Sequence, residues 1–481
     1  MQPLRCRHYG RIVHGRDLPV ERRRRGRLPK LEAQPANIIP KIPGADKRNV
    51  FALHGVHDAE GIKAALKEHK AKDVVIVGGG LIGVEITEAL ASHGCRVTVV
   101  EMLPQILNML DWEMARLVEQ HMEAKGVKVM TSTKVLSLES RGGAADTVTH
   151  VLTDKGELPV DMVVMAVGVR PNSALARQAG LAIGESSGAI RVDDHMRTSD
   201  PDIYAAGDCV ECTDRLTGRP CFVPLGSTAN KQGRVAAVNI CGGNEKFPGV
   251  LGSTVCKVFD YCVARTGLTE ASARSMGYEV VTAMGPGPDK AHYMPQSKSL
   301  LMKLVADART RKLLGVQATG PGDGAKRIDV AATAITAGMT LDDAANLDLS
   351  YAPPYAPAMD NLITVANIAR NKLDGFMTGI SAEEVHKKLQ KGEDFFFLDV
   401  RSPQEYQEVR LPKSTLIPLG ALRKRLADVP RDRQIIAFCK ISLRGYEASL
   451  ILKGAGFSNV MVLDGGVAMW PYEKELPNGK H

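Results

Sequence analysis

A multi-domain α/β fold is what this sequence of 481 residues predicts, and three observations predict it. Residues 73–90, DVVIVGGGLIGVEITEAL, pass from an apolar strand through a glycine turn into a helical pattern. A second apolar strand, CRVTVVE, follows and ends in Glu101. Over residues 379–481, FFFLDVR, ALRKRL, IIAFCKISLR and VMVLDGG alternate as small strand and helix elements. The length agrees, because single hydrophobic cores stop growing at roughly 250–300 residues.

The glycines come first because they carry chemistry. Gly78, Gly80 and Gly83 stand in GxGxxG register between strand and helix, the arrangement of a dinucleotide-binding βαβ unit. Glycines let the backbone approach a pyrophosphate, and the helix N-terminus offers N–H donors and a positive dipole end. Glu101 lies 101 − 78 = 23 residues after Gly78, near the ~20 at which a carboxylate accepts the ribose hydroxyls. A 2′-phosphate would be repelled there, and the next residues, MLPQIL, contain no Arg or Lys to welcome it. NADH is therefore expected over NADPH. A third apolar strand, DMVVMAVGVRPN at 161–172, ends in Gly168 and Pro171 and closes the nucleotide domain. Residues 224–240, PLGSTANKQGRVAAVNI, then read as a loop leading into a helix.

Charge excludes one class of partner. The formal charge is +8, and residues 1–30 hold ten Lys or Arg against two acids, a surplus of 10 − 2 = +8, so the remainder is neutral overall. A charge block confined to one terminus reads as a solvated tail, and no nucleic-acid partner is expected. No stretch reaches the about 18–20 apolar residues of a membrane span, and the start lacks the apolar core of a signal peptide. The cytoplasm is the expected compartment. Nine scattered cysteines read as reduced thiols, and Cys209 with Cys212, a CxxC without a partner pair, reads as coincidence. No metal site is expected.

The motifs GGGLIGVE, GVRPN, TSDPDIYAAGD, VARTGLTE, KRIDV and YAPPY occur in that order. With them, residues 38–475 resemble the pyridine-nucleotide disulfide oxidoreductases of the coenzyme A disulfide reductase and NADH oxidase branch, fused to a C-terminal rhodanese domain. The resemblance implies Rossmann-like FAD- and NAD-binding domains, an α+β dimerisation domain and a rhodanese α/β domain. The expected boundaries are an Arg-rich segment at 1–37, a remnant of the FAD domain at 38–71, the NAD domain at 72–170, the second half of the FAD domain at 171–245, the dimerisation domain at 246–371 and the rhodanese domain at 379–481. It implies nicotinamide binding at Gly78, Gly80, Gly83, Glu85, Glu101 and Gly168, and FAD binding at Gly207, Asp208, Leu225, Thr228 and Ala229. Asp208 would bond the ribityl chain. Tyr351 and Tyr355 would line the partner subunit's active site in a homodimer, or simply pack beside the prolines.

Members of the family open with a flavin GxGxxG and, some way on, a redox cysteine. Neither occurs here: the glycines before Gly78 form no such triplet, and Cys6 is the only cysteine before Cys95. The FAD domain is therefore expected to be incomplete, with the Arg-rich start reading as a truncation scar or an unrelated reading frame. The rhodanese landmarks are fuller, namely LDVR at 398–401, CKISLR at 439–444 and LDGGVAMW at 463–470. A cysteine opening a loop of backbone N–H groups sits in positive potential that stabilises a thiolate or persulfide, and Arg444 would close that cradle around Cys439. Two departures stand out. Val409 and Arg410 replace a common Gly-His, and Ser442 stands where a loop glycine is frequent.

The resemblance thus implies an FAD- and NADH-dependent reductase of coenzyme A disulfide, persulfide or polysulfide, with Cys439 handling sulfane sulfur. The alternatives are an NADH oxidase or peroxidase-type flavoprotein and a non-catalytic NADH-binding sulfur carrier. Partners would be small thiols, disulfides or persulfides.

Overall fold

A computed structural model describes residues 11–14, 36–37, 41–53, 55–68, 71–142 and 146–477. Cys6 and the Arg run at 22–25 lie outside the described residues. The chain forms two compact units, Met1–Pro104 with Lys128–Gly252, and Gln105–Val127 with Ser253–His481. Among the described residues no helix is long and apolar enough to cross a membrane.

The first unit is built on an all-parallel sheet in the order Val50–Ala52, Met162–Met165, Asp73–Val77, Arg96–Val100, Lys128–Met130. Asp73–Val77 lies inside it, with Val75 opposite Val163 on one side and Thr98 on the other. Four of its five residues are buried, which is why the sequence shows a continuous Val and Ile run rather than an alternation. An antiparallel sheet of Val135–Glu139, His150–Thr153 and Gly156–Pro159 completes the core, where Val77, Val151 and Met165 meet. Buried Asn49 stitches the entry strand to this layer. Its amide donates to the carbonyls of Val148 and Asp161, both at 2.8 Å, and its oxygen accepts the Val148 N–H at 2.7 Å.

The rest of that unit centres on the strand Ile203–Ala206 and the helix Gly226–Ile240, packed through Tyr204, Ala206, Val235 and Ala236. The strand does not lack a neighbour. Arg11–His14, inside the Arg-rich segment, pairs with it in parallel, Ile12 opposite Tyr204. Any short β-prone run can satisfy a strand edge through its backbone, which is why RIVH serves where its composition gave no sign.

The second unit carries two sheets. The first is antiparallel, ordered Thr254–Val258, Tyr261–Gly267, Leu313–Gly320, Ser299–Asp307, Val280–Pro288, with Gly324–Thr336 and Asn361–Leu373 packed on it. The second is parallel, ordered Gly379–Ile380, Val460–Leu463, Gln434–Phe438, Phe395–Asp399, Thr415–Leu416. Residues 105–127, inside the stretch expected to be the nucleotide domain, belong to this unit. Charge ties them there. Lys303, 1 % exposed within the antiparallel sheet, meets Asp111 at 3.1 Å, Glu270 at 2.7 Å and Glu113, and the Gln317 side chain exchanges bonds of 2.8 and 2.6 Å with Asp111. Burial alone would lower the Lys303 ammonium, but the three carboxylates outweigh it and raise it.

Candidate functional site

The glycine turn separates what the protein's own packing demands from what a ligand demands. Gly78 has φ +107°, and a Cβ on it would lie 2.4 Å from the Ala166 carbonyl oxygen. A Cβ on Gly83 would lie 2.0 Å from the carbonyl oxygen of Gly78. Both positions are closed by the fold itself. A Cβ on Gly80 would meet nothing within 4 Å, although Gly80 caps the helix Leu81–Ser92 without a side-chain bond. The bare backbone at that helix start fits a pyrophosphate, which needs close approach and unclaimed N–H donors. Glu101 stands beside the turn. Its oxygens accept the N–H groups of Gly79 at 2.7 Å and Leu103 at 2.8 Å, and each oxygen keeps a second acceptor position for a hydroxyl. Gly168, at φ +100°, lies in the turn between the strands Met162–Met165 and Val169–Arg170, and Glu85 is exposed on the helix.

The residues expected to meet a flavin lie together at the end of one strand and the start of one helix. Gly207, at φ +86°, donates its N–H to the Gln232 side chain at 2.9 Å, joining the end of Ile203–Ala206 to the helix Gly226–Ile240. Asp208 follows half-buried. Leu225 caps that helix in extended backbone with no side-chain bond, and Thr228 and Ala229 are buried in its first turns. These residues fit the ribityl and ring side of a flavin. The pyrophosphate side does not fit, because Arg11–His14 is followed by GRDLPVERRRR, with no glycine triplet.

The cysteine loop is built from three directions. Cys439 closes the strand Gln434–Phe438 and is fully buried. Ser442 turns the chain at φ +72° into the helix Leu443–Gly454, and its hydroxyl donates to the Leu463 carbonyl at 2.8 Å. From below, the N–H groups of Val467 and Ala468 bond the carbonyls of Cys439 at 3.0 Å and Lys440 at 2.9 Å. A Cβ on Gly466 would fall 2.3 Å from the Cys439 carbonyl oxygen, so the second glycine of LDGG is what lets this support approach. Arg444 reaches Glu405 in a fork of 2.8 and 2.7 Å. The Arg444 guanidinium holds the Glu405 carboxyl down at about 2. Arg444 is raised in turn, chiefly by Glu405 and further by charge and hydrogen bonding with Cys439. Glu405 was not singled out from sequence; its signal was SPQE directly after LDVR, a capping box in which Ser402 and Glu405 exchange bonds.

The structure brings Cys439 and Arg444 together and gathers Gly78, Gly80, Gly83 and Glu101 around one turn. Tyr351 and Tyr355 are exposed, Tyr355 at 72 %. They project from the loop whose Pro353 carbonyl accepts the Ala291 N–H. Asp193, Asp194 and His195 are grouped closely enough to ligate a metal, yet Asp194 pairs with Lys246 at 2.8 Å and His195 at 2.7 Å.

Residues 33–233 match the family model of pyridine nucleotide-disulphide oxidoreductases, 253–363 match the dimerisation domain of those enzymes and 381–472 match rhodanese-like domains. The chain is 41 % identical over 333 residues to a CoA-dependent NAD(P)H sulfur oxidoreductase of Pyrococcus abyssi, covering 69 % of this chain and 73 % of the relative. This chain is a pyridine nucleotide-disulphide oxidoreductase. An NADH oxidase of Methanocaldococcus jannaschii is 38 % identical over 336 residues, 70 % of this chain and 73 % of that one. The structure of an NAD-dependent persulfide reductase from A. fulgidus superposes with a TM-score of 0.85 at 46 % identity, over 91 % of this chain and 78 % of that one. This oxidoreductase therefore combines its family's Rossmann-like fold and dimerisation domain with a C-terminal rhodanese-like domain.

Two predictions follow from the geometry. With Glu101 beside the turn, NADH should bind at least about tenfold tighter than NADPH, about 1.4 kcal/mol; calorimetry showing equal affinities would remove Glu101 from that role. Glu405 titrates below the ordinary ~4.3 of a glutamate, so the stability it gains from Arg444 is complete above ~4.3 and is lost as pH falls toward about 2. Urea unfolding across that range should show the loss in the native protein and a flatter profile in Glu405→Gln.

Proposed function

We propose that the protein is an NADH-dependent reductase of coenzyme A-linked disulfides, persulfides or polysulfides, working as a homodimer, in which Cys439 carries sulfane sulfur. The observation that carries this reading is the Cys439 loop, a buried thiol with Arg444 beside it and a glycine-supported backbone beneath. A buried sulfur anion needs such compensation, from a guanidinium and from N–H groups at a helix start. The names of the P. abyssi and A. fulgidus relatives point to the same class of sulfur compound. Nicotinamide binding is assigned to Gly78, Gly80, Gly83, Glu85, Glu101 and Gly168. Glu101 orients the adenosine ribose, while the Gly80 backbone accepts the pyrophosphate.

When bound, flavin would supply the hydride relay between NADH and the sulfur acceptor. Gly207, Asp208, Leu225, Thr228 and Ala229 would hold its ribityl and ring side, and Tyr351 and Tyr355 are assigned to the partner's site. A second reading, a sulfur carrier that binds NADH without flavin turnover, is favoured by the strand Arg11–His14 with no glycine triplet after it.

Thiosulfate or a persulfide donor should add one sulfur atom to Cys439, seen by intact mass and removable with cyanide, and Cys439→Ser should abolish the adduct. An adduct that persists in that variant would refute the assignment. Protein purified without added flavin should carry little FAD, measured from the visible spectrum against protein concentration. Near-stoichiometric FAD that NADH bleaches rapidly would overturn the second reading and show that the residues before Gly78 hold a pyrophosphate in another way.

A further inference from the structure

Spacing alone pairs Cys209 with Cys212, but the fold pairs Cys212 with Cys221. These two stand opposite each other in the antiparallel ladder of Cys212–Thr213 and Pro220–Cys221. Their sulfurs are 3.6 Å apart, and the Cys212 thiol also reaches the Cys221 carbonyl at 3.5 Å. Directly opposed residues in an antiparallel pair have Cα atoms about 4.5–5.5 Å apart, inside the roughly 4.4–6.8 Å that a disulfide spans. The opposed register thus falls within the reach of a disulfide. Both are free thiols, and Cys221 is the more open of the two.

We propose that Cys212 and Cys221 form a redox-active dithiol, a modification site that closes to a disulfide by exchange with low-molecular-weight disulfides or persulfides. One thiol of the pair, as thiolate, attacks a sulfur of the incoming disulfide and releases half of it as a thiol. The second loses its proton and displaces the other half, so two cysteine thiols are oxidised and one small disulfide is reduced to two thiols. With a persulfide the products are one thiol and hydrogen sulfide. The surroundings favour this pair over the neighbouring thiol. The hydrogen bond between the two lowers Cys212 and raises Cys221, so one member ionises ahead of the other. Burial instead pushes Cys209 up to about 12, which leaves it a protonated spectator.

The site has a structural consequence. Cys212 packs against Tyr204, Ala206 and Val235, and the chain leaving Cys221 reaches Leu225, the cap of the helix Gly226–Ile240, four residues later. Closing the bond would pin the approach to that helix start.

The full chain, reduced and then freed of reductant, is treated with oxidised glutathione or with coenzyme A disulfide. Remaining thiols are alkylated, and the protein is analysed by intact mass and by non-reducing peptide mapping. The expected result is the loss of two alkylation sites and a cross-linked peptide pair joining 212 to 221. Cys221→Ser and Cys212→Ser should each lose the cross-link and retain a mixed disulfide on the remaining cysteine. Full alkylation of both cysteines in the native protein, or a cross-link between 209 and 212, would overturn the proposal, and neither outcome requires a variant to fold. The cross-link forms and is read without NADH, and the Cys439 adduct is read separately, so failure of one reading leaves the other standing.

Discussion

Buried charge has to be compensated where it sits, and the second unit is arranged around that requirement. Lys303 lies within a sheet and collects three carboxylates from segments far away in sequence. Arg327, equally buried, meets Asp360 at 3.0 Å. Arg401 and Asp399 form a fully enclosed pair at 2.7 Å, and Lys372 meets Asp464 at 2.7 Å. Removing one member of such a pair leaves a lone charge in low dielectric, at about 3–5 kcal/mol. The benefit of each pair is therefore geometric as much as energetic. Helix 112–124, the sheet and the cysteine loop can only sit where every charge has its counterpart.

The pair Asp399 with Arg401 shows how that constraint reaches chemistry. Arg401 also donates to the carbonyls of Glu405 at 3.3 Å and of Val409, the C-cap, at 2.7 Å, holding the helix Pro403–Glu408 in place. That fixes Glu405, Glu405 forks onto Arg444, and Arg444 interacts with Cys439 through charge and hydrogen bonding. On the opposite side, Asp464, the first residue of the DGG turn that supports the loop, is anchored by Lys372, and Gly379 leaves room for that pair. The glycine turn of the first unit is fixed by sterics instead. Gly78 and Gly83 admit no side chain at all, so the open backbone at Gly80 is held in place by two neighbours that cannot change.

Local chemistry was legible in the sequence. The strand, glycine triplet and Glu101 lie within a few dozen residues, and the fold brings them together by a single βαβ connection, so spacing alone located them. Cys439 and Arg444 are separated by one loop. What the sequence concealed were partners across long separations. Lys303 and Glu113 are 190 residues apart, and Arg444 and Glu405 are 39 apart. Neither a periodicity nor a motif marks such pairs. The CxxC of Cys209 and Cys212 reads as coincidence, and nothing in the spacing points to Cys221, which a tight ladder sets opposite Cys212. The strand Arg11–His14 was hidden for another reason: its pairing rests on backbone groups that every residue type carries.

The departures from the rhodanese pattern look like losses in sequence and are compensated in structure. Ser442 occupies the left-handed region that favours glycine, with a cost on the order of 1 kcal/mol. Its hydroxyl, which glycine lacks, binds the buried Leu463 carbonyl, and a satisfied buried hydrogen bond contributes about as much in return. Val409 in place of glycine keeps an extended backbone whose carbonyl accepts from Arg401. Arg410, in place of histidine, pairs with Glu475 at 2.6 Å and lies over the Tyr406 ring at 5.4 Å, while its backbone pairs with that of Glu475. Val409 keeps the carbonyl that holds Arg401, and through Arg401 and Glu405 the position of Arg444, while Ser442 ties the loop, and Arg410 the segment after the helix Pro403–Glu408, to other partners. The loop therefore keeps its architecture without the residues that usually signal it, because what must be maintained is the chain of compensated charges behind the cysteine and not the identity of the residues around it.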